Sequence, residues 1–173
     1  KYAIIGAGCM GQEHILNIEI IEDAEVVALC DTSEQSIKEC LELLNNEVAI
    51  FEDYNELVRA NIADAFIIAT PNFTHIDVLK DVMTSEAHLL IEKPLCTTVK
   101  DCQEFEELSK NYPGVIWTAM EYRYMPPVQR MIQEIHNKTI GDLKMLSIRE
   151  HRFPFLHKVD DWNRFTIKTG GTL

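Results

Sequence analysis

Residues 6–11 read Gly-Ala-Gly-Cys-Met-Gly, directly after the apolar run Tyr2–Ile5 and ahead of a helical pattern carried by Ile15 and Ile18. Few short patterns constrain a fold so tightly. In a G-x-G-x-x-G between strand and helix, the first glycine makes a tight turn. The second lets the main chain approach a pyrophosphate, and the third lets helix and strand pack closely. The helix start then offers free N–H groups and a positive dipole end to the phosphates. Asp31 stands 20 residues beyond Gly11, after the apolar run Glu25–Cys30, where a carboxylate accepts from a ribose 2′-hydroxyl. A Gly-Lys-Ser/Thr phosphate loop is excluded, because Gly11 is followed by Gln12 and Glu13.

The rest of the first 120 residues keeps the same alternation. Short apolar runs at Tyr2–Ile5, Glu25–Cys30, Val48–Phe51, Ala63–Ala69, Ala87–Ile91 and Val115–Thr118 are strand candidates, apolar on both faces as parallel strands are. Helical patterns separate them. Ser33 is placed to cap a helix burying Ile37, Cys40, Leu41 and Leu44, and Asp53 one carrying Leu57 and Val58. Ile76, Leu79, Val82 and Met83 recur at helical spacing, and Thr98 with Asp101 resembles a capping box before Val99, Cys102, Phe105 and Leu108. The expectation is an α/β fold, a doubly wound parallel sheet over residues 1–120. Beyond it the rhythm changes. Pro126-Pro127 opens a helix, Val128 to His136, Gly141 breaks it, and Leu143–Phe153 reads as one long strand of mixed polarity. Such a strand belongs in an antiparallel sheet, so residues 121–173 are expected to be the incomplete start of an α+β domain.

Charge narrows the partners. The chain of 173 residues carries a formal net charge of −12, with seven basic and 22 acidic residues in 1–120 and nine and six in 121–173. Nucleic acid and anionic membrane surfaces would repel it. No apolar run reaches the ~20 residues of a membrane helix. The five cysteines, at 9, 30, 40, 96 and 102, form no CxxC pair, so no metal is expected and reduced thiols in the cytoplasm are. His151 and His157 have neither helical pairing nor a carboxylate cluster to suggest a metal site. The start at Lys1-Tyr2-Ala3 enters a strand with no signal peptide, and the end at Gly170-Gly171-Thr172-Leu173 falls in mid-pattern, which suggests a fragment.

Two strand-end motifs are candidates for chemistry. Thr70-Pro71-Asn72 follows one strand and Glu92-Lys93-Pro94 the next, and in an open parallel sheet ligands lie beyond the carboxyl ends of the strands. A lysine emerging there is placed to hydrogen-bond a substrate hydroxyl and favour its alkoxide character as hydride leaves. Asp31-Thr32-Ser33-Glu34 would repel a 2′-phosphate, so NAD is favoured over NADP. A non-catalytic nucleotide-binding sensor is the alternative, and a methyl-donor site also suits an acidic residue after the second strand.

Together these motifs resemble the glucose–fructose oxidoreductase/inositol dehydrogenase/MocA (Gfo/Idh/MocA) family. The resemblance rests on Gly6-Ala7-Gly8-Cys9-Met10-Gly11 with His14, Thr70-Pro71-Asn72 with His75, and Glu92-Lys93-Pro94. It continues through Arg123-Tyr124-Met125-Pro126, Ile140-Gly141-Asp142-Leu143 and Trp162-Asn163-Arg164 before Gly170-Gly171. It implies a Rossmann domain followed by a domain with a large, mostly antiparallel sheet that commonly forms homo-oligomers. The implied activity is NAD(P)-dependent oxidation or reduction of sugars, cyclitols and related polyols. By position, it assigns Gly6, Gly8, Cys9, Met10 and Gly11 to the pyrophosphate, and Asp31 with Thr32 to the adenosine ribose. Thr70, Pro71, Asn72 and His75 fall to the nicotinamide-ribose side, Glu92 to the cofactor, and Lys93 to catalysis between nicotinamide and substrate. Arg123 and Trp162 fall near the cleft. Glu121-Tyr122 depart from the Asn-Arg often found before the family's Arg, and the Asp and His that act with the lysine would fall after Leu173.

Overall fold

The computed structural model describes residues 1–151 and 158–171. By its internal contacts the chain divides into two compact units, Lys1–Ala119 with Val159–Leu173, and Met120–Lys158.

The first unit is built on six parallel strands: β1 (Tyr2–Ile5), β2 (Val26–Cys30), β3 (Ala49–Phe51), β4 (Ala65–Ile68), β5 (His88–Ile91) and β6 (Ile116–Thr118). Their order is β3-β2-β1-β4-β5-β6, so the chain reverses direction across the sheet between β1 and β4. A crevice opens at the carboxyl ends of strands at such a switch point. The pleat explains why the strands are apolar throughout. Ala3 and Ile5 of β1 face one layer while Ile4 faces the other.

One layer packs Ile4, Leu29 and Ile67 against Ile15 and Ile18 of α1 (Cys9–Ile18) and Ile37 and Cys40 of α2 (Glu34–Leu41). The other packs Ile5, Phe66, Ile68 and Ile91 against Leu57 of α3 (Tyr54–Ala60) and Val78, Leu79 and Val82 of α4 (His75–Val82). Each fully buried aliphatic contributes roughly 1.5–3 kcal/mol relative to exposure.

The expected caps form. Ser33 Oγ accepts from Ser36 N, Asp53 Oδ1 from Asn55 N, and Thr98 Oγ1 from Asp101 N. Helix α5 (Val99–Ser109) departs from expectation, because none of its residues is fully buried and Val99 is 75% exposed. Of its apolar face, Phe105 is the side chain that packs on the core. The reason is position: the helix lies at the end of the layered core, where α4 covers the central strands.

In the second unit, a 3₁₀ turn (Glu121–Tyr124) leads into α6 (Pro126–His136), which starts on its two prolines. Gly141 takes φ +74° and ends the helical region. The long strand expected over Leu143–Phe153 is not found. Residues 143–151 have no regular structure, and Arg152 and Phe153 lie outside the described residues. A strand exists by its hydrogen-bonded neighbours, and among the described residues of this unit there is no second strand to pair with. The antiparallel sheet is therefore not seen among the described residues. The returning segment carries a 3₁₀ stretch (Val159–Arg164) and α7 (Thr166–Thr169), and it packs with the first unit.

Candidate active site

The glycine turn is sterically committed. Gly6 takes φ +101°, and a Cβ there would stand 2.6 Å from the Ala69 carbonyl; a Cβ on Gly11 would stand 2.2 Å from the Gly6 oxygen. Gly8 is different, since a Cβ there meets nothing within 4 Å. It is the N-cap of α1, no side chain caps it, and the first turn carries no acidic residue. The start of α1 thus has open space beside Gly8 and no carboxylate in its first turn, where the first N–H groups of a helix lack intrahelical partners.

Asp31, at the end of β2, accepts from Ala7 N at 2.7 Å through one oxygen and from Ser33 N at 2.8 Å through the other. Each carboxylate oxygen has a second lone pair, so capacity for a ribose hydroxyl remains. Beside it lies a cavity of about 280 Å³ bordered by Asp31, Thr32, Glu34, Ile37, Ile50 and Glu52. Lys38 borders it too. The sequence reading did not anticipate this lysine, although its place four residues after Glu34, on one face of α2, is the signal that finds it. Three carboxylates against one ammonium leave the cavity acidic.

Across the switch point, Thr70, Pro71 and Asn72 form the loop after β4. Thr74 Oγ1 donates to the Pro71 carbonyl at 2.8 Å, and Asn72 Nδ2 donates to the Thr169 carbonyl at 3.4 Å. Trp162 stacks edge-on against Phe73, ring centroids 6.5 Å apart, which puts it beside this loop. His75 does not line an open surface. Its ring is fully buried, Nδ1 lying 3.0 Å from the Pro94 carbonyl and Nε2 3.0 Å from the Thr70 carbonyl. Burial pushes its pKa down, against the carbonyl oxygens that favour the charged ring. His75 is a strut between two loops.

Glu92 is likewise turned inward. Oε1 lies 2.9 Å from His14 Nε2, with the side chains 8% and 15% exposed, and Oε2 accepts from Lys93 N at 3.1 Å. Burial pushes the Glu92 carboxyl up, but the hydrogen bond and charge of His14 and the N–H and charge of Lys93 outweigh it and hold the pKa below its ordinary value of 4.5. Lys93 itself is exposed at the exit of β5, just before a cis peptide bond to Pro94. Its ammonium has no ion-pair partner among the described residues. Arg123 belongs to the second unit, exposed on the turn Glu121–Tyr124. Among the described residues no group of three His, Cys, Asp or Glu is arranged to hold a metal ion, and no helix is long and apolar enough to cross a membrane.

Sheet order, glycine turn and the acidic end of β2 together define a dinucleotide-binding Rossmann domain. Residues 1–120 match the Gfo/Idh/MocA family, an oxidoreductase family with an NAD-binding Rossmann fold, and the chain belongs to it. It is 27% identical over 148 residues to myo-inositol 2-dehydrogenase of Thermotoga maritima, covering 86% of this chain and 44% of that protein. It is 26% identical over 151 residues to glucose-6-phosphate 3-dehydrogenase of Bacillus subtilis, covering 87% and 41%. Among solved structures, a probable dehydrogenase from Thermotoga maritima superposes with a TM-score of 0.75 at 26% identity over 81% of this chain and 42% of that one. The scyllo-inositol dehydrogenase of Lactobacillus casei, solved with NAD(H) and scyllo-inositol bound, shares the fold with a TM-score of 0.75 at 21% identity, covering 82% and 42%. The chain thus spans less than half the length of these relatives.

Proposed function

We propose that this chain supplies the cofactor domain, and the opening of the substrate domain at residues 121–173, of an NAD-dependent dehydrogenase acting on a secondary hydroxyl of a sugar, cyclitol or related polyol. The observation that carries this reading is Lys93: an exposed ammonium without an ion-pair partner among the described residues, on a main chain held at the carboxyl end of β5. A pure nucleotide sensor has no use for it. The names of the related dehydrogenases supply the substrate class.

In this reading the N–H groups of Cys9 and Met10, with Gly8 giving access, hold the pyrophosphate, and Gly6 and Gly11 shape the turn. Asp31 and Thr32 hold the adenosine ribose, and the acidic cavity disfavours a 2′-phosphate. Thr70, Pro71 and Asn72 line the nicotinamide-ribose side, while Glu92 and His75 support that wall from behind. Trp162, against Phe73, is assigned to the rim of the cleft. Bound NAD would supply the hydride acceptor. The Lys93 ammonium donates a hydrogen bond to the reacting oxygen, stabilising the charge that develops there as the C–H bond breaks. The hydroxyl proton passes to a separate base. A homo-oligomer formed through the second domain accords with this assignment.

Assay of the full-length protein with NAD and a polyol panel, alongside Lys93→Ala, tests the reading. The expected outcome is turnover of at least one polyol and a loss of kcat of about 10²-fold or more in the variant. Unchanged turnover without the lysine would remove its catalytic role.

A further inference from the structure

Lys93 carries a long side chain with no ion-pair partner for its end among the described residues, so the direction it reaches depends on how firmly its main chain is held. Both neighbours are gripped, each by a histidine from a different helix. On one side, Glu92 N–H continues the sheet by donating to the Ile68 carbonyl at 2.9 Å. Its carboxylate then forms a closed link, one oxygen at 2.9 Å from His14 Nε2 on α1 and the other receiving the Lys93 N–H at 3.1 Å. On the other side, the Pro94 carbonyl lies 3.0 Å from His75 Nδ1 and the Thr70 carbonyl 3.0 Å from Nε2; the neutral ring donates to one of the two, and the tautomer with the proton on Nδ1 grips Pro94. His14 lies in α1, which follows the glycine turn, and His75 opens α4, which follows the loop after β4. The lysine is therefore referenced to both walls of the crevice through groups that are almost wholly buried.

We propose that His14 and His75 are positioning residues for Lys93: His14 acts through the Glu92 carboxylate and His75 through the Pro94 carbonyl, and together they fix where the lysine's ammonium meets the substrate oxygen. This rests on the reading of Lys93 as the polarising group. Neither histidine touches substrate. Misplacement of a catalytic group by 1 Å costs up to about 10²-fold in rate, so a slack main chain at Lys93 shows first in kcat.

The groups facing Glu92 are His14 from α1, the N–H and ammonium of Lys93, and the His75 ring from α4. Replacing His14 with leucine removes the larger of the groups that hold the carboxylate ionised and leaves the Lys93 N–H and ammonium alone against burial, so its pKa rises. Protonated Glu92 no longer accepts from Lys93 N in the same way, so the acid limb of the kcat profile moves to higher pH.

The experiment uses the full-length protein, with a polyol that it turns over, and five forms: wild type, His14→Leu, His14→Gln, His75→Leu and Lys93→Ala. In H14L, kcat is expected to fall by about tenfold, with its acid limb displaced upward, while KM and the NAD dissociation constant change less than about twofold. H14Q, whose amide N–H stands where Nε2 did, is expected to restore most of kcat. A drop in Tm in H14L with kcat and its acid limb unmoved would assign His14 to stability alone and overturn the proposal. Equal losses in H14L and H14Q would also overturn it, since the hydrogen bond to Glu92 would then be irrelevant. Lys93→Ala separates the two layers: unchanged kcat there removes the polarising role itself, whereas a large loss there with a silent H14L removes only the positioning role. His75→Leu, read on its folded fraction, is expected to repeat the H14L pattern in kcat.

Discussion

The Ala7 N–H donates to Asp31 Oδ2 at 2.7 Å, tying the glycine turn after β1 to the end of β2. Asp31 thus serves the protein before it serves any ligand. Asp31→Ala should loosen the turn by removing two hydrogen bonds to a charged acceptor, a loss of about 1–3 kcal/mol in stability. NAD affinity should fall by more than the Tm shift alone accounts for, measurable by titration of intrinsic fluorescence. Tighter binding of NADP than NAD by the wild-type protein would contradict the role assigned to this carboxylate.

The three glycines should separate by experiment. Gly11→Ala forces a Cβ to within 2.2 Å of the Gly6 oxygen, main chain against main chain, and the fold must distort. A loss on the order of 1–3 kcal/mol or more is expected in denaturant unfolding. Gly8→Ala meets open space at a φ of −75°, so Tm should hold. Its effect should fall on NAD, with affinity lowered about tenfold, on the order of 1.4 kcal/mol, because the added methyl occupies the approach to the pyrophosphate.

Glu92 gives stability a defined pH dependence. Its carboxyl lies below 4.5 in the folded protein, so the His14 link stabilises the fold above that value and is lost as pH falls through the folded-state pKa. Thermal unfolding between neutral and acid pH should show wild type losing Tm more steeply than Glu92→Gln below about pH 4.5. The two curves should converge in acid. Parallel curves would mean the carboxylate contributes nothing specific.

Thiol chemistry offers a footprint of the cofactor. Burial, with Asp31 and Asp53 nearby, pushes the Cys30 thiol up to about 12, and burial with Asp31 and Glu39 pushes Cys40 up to about 11. Both should resist iodoacetamide, since the thiolate is the nucleophile. Cys9 and Cys102 are exposed, Cys9 at the head of α1. Saturating NAD should protect Cys9 and leave Cys102 reacting at its original rate, followed by peptide mass spectrometry. Equal alkylation of Cys9 with and without NAD would place the pyrophosphate elsewhere.

How much of this was legible from residues alone depended on range. The strands of the first unit announced themselves because a parallel strand buried on both faces must be apolar throughout, as Tyr2–Ile5 and Ala65–Ile68 are. The caps at Ser33, Asp53 and Thr98 were legible because a cap is a local bargain between one side chain and an N–H two or three residues on. His75 is expected from its motif to line the nicotinamide-ribose side, yet its ring is fully buried at the start of α4. Nothing local reveals that both ring nitrogens meet carbonyls from chain segments five and 19 residues away. Glu92 hid in the same manner, its partner His14 being 78 residues distant. The mixed-polarity run from Leu143 has strand composition, yet composition cannot supply a neighbour to bond with.

The cavity at the end of β2 has an uneven tolerance for change. Thr32, Glu34, Lys38 and Glu52 are exposed around it, whereas Asp31 alone is bonded into the glycine turn. Those exposed positions can therefore be exchanged at little cost to the fold, whereas a change at Asp31 also unties the turn. Under the proposed assignment, choice between the two dinucleotides is open to change at the rim, while Asp31 is held in place by the fold itself.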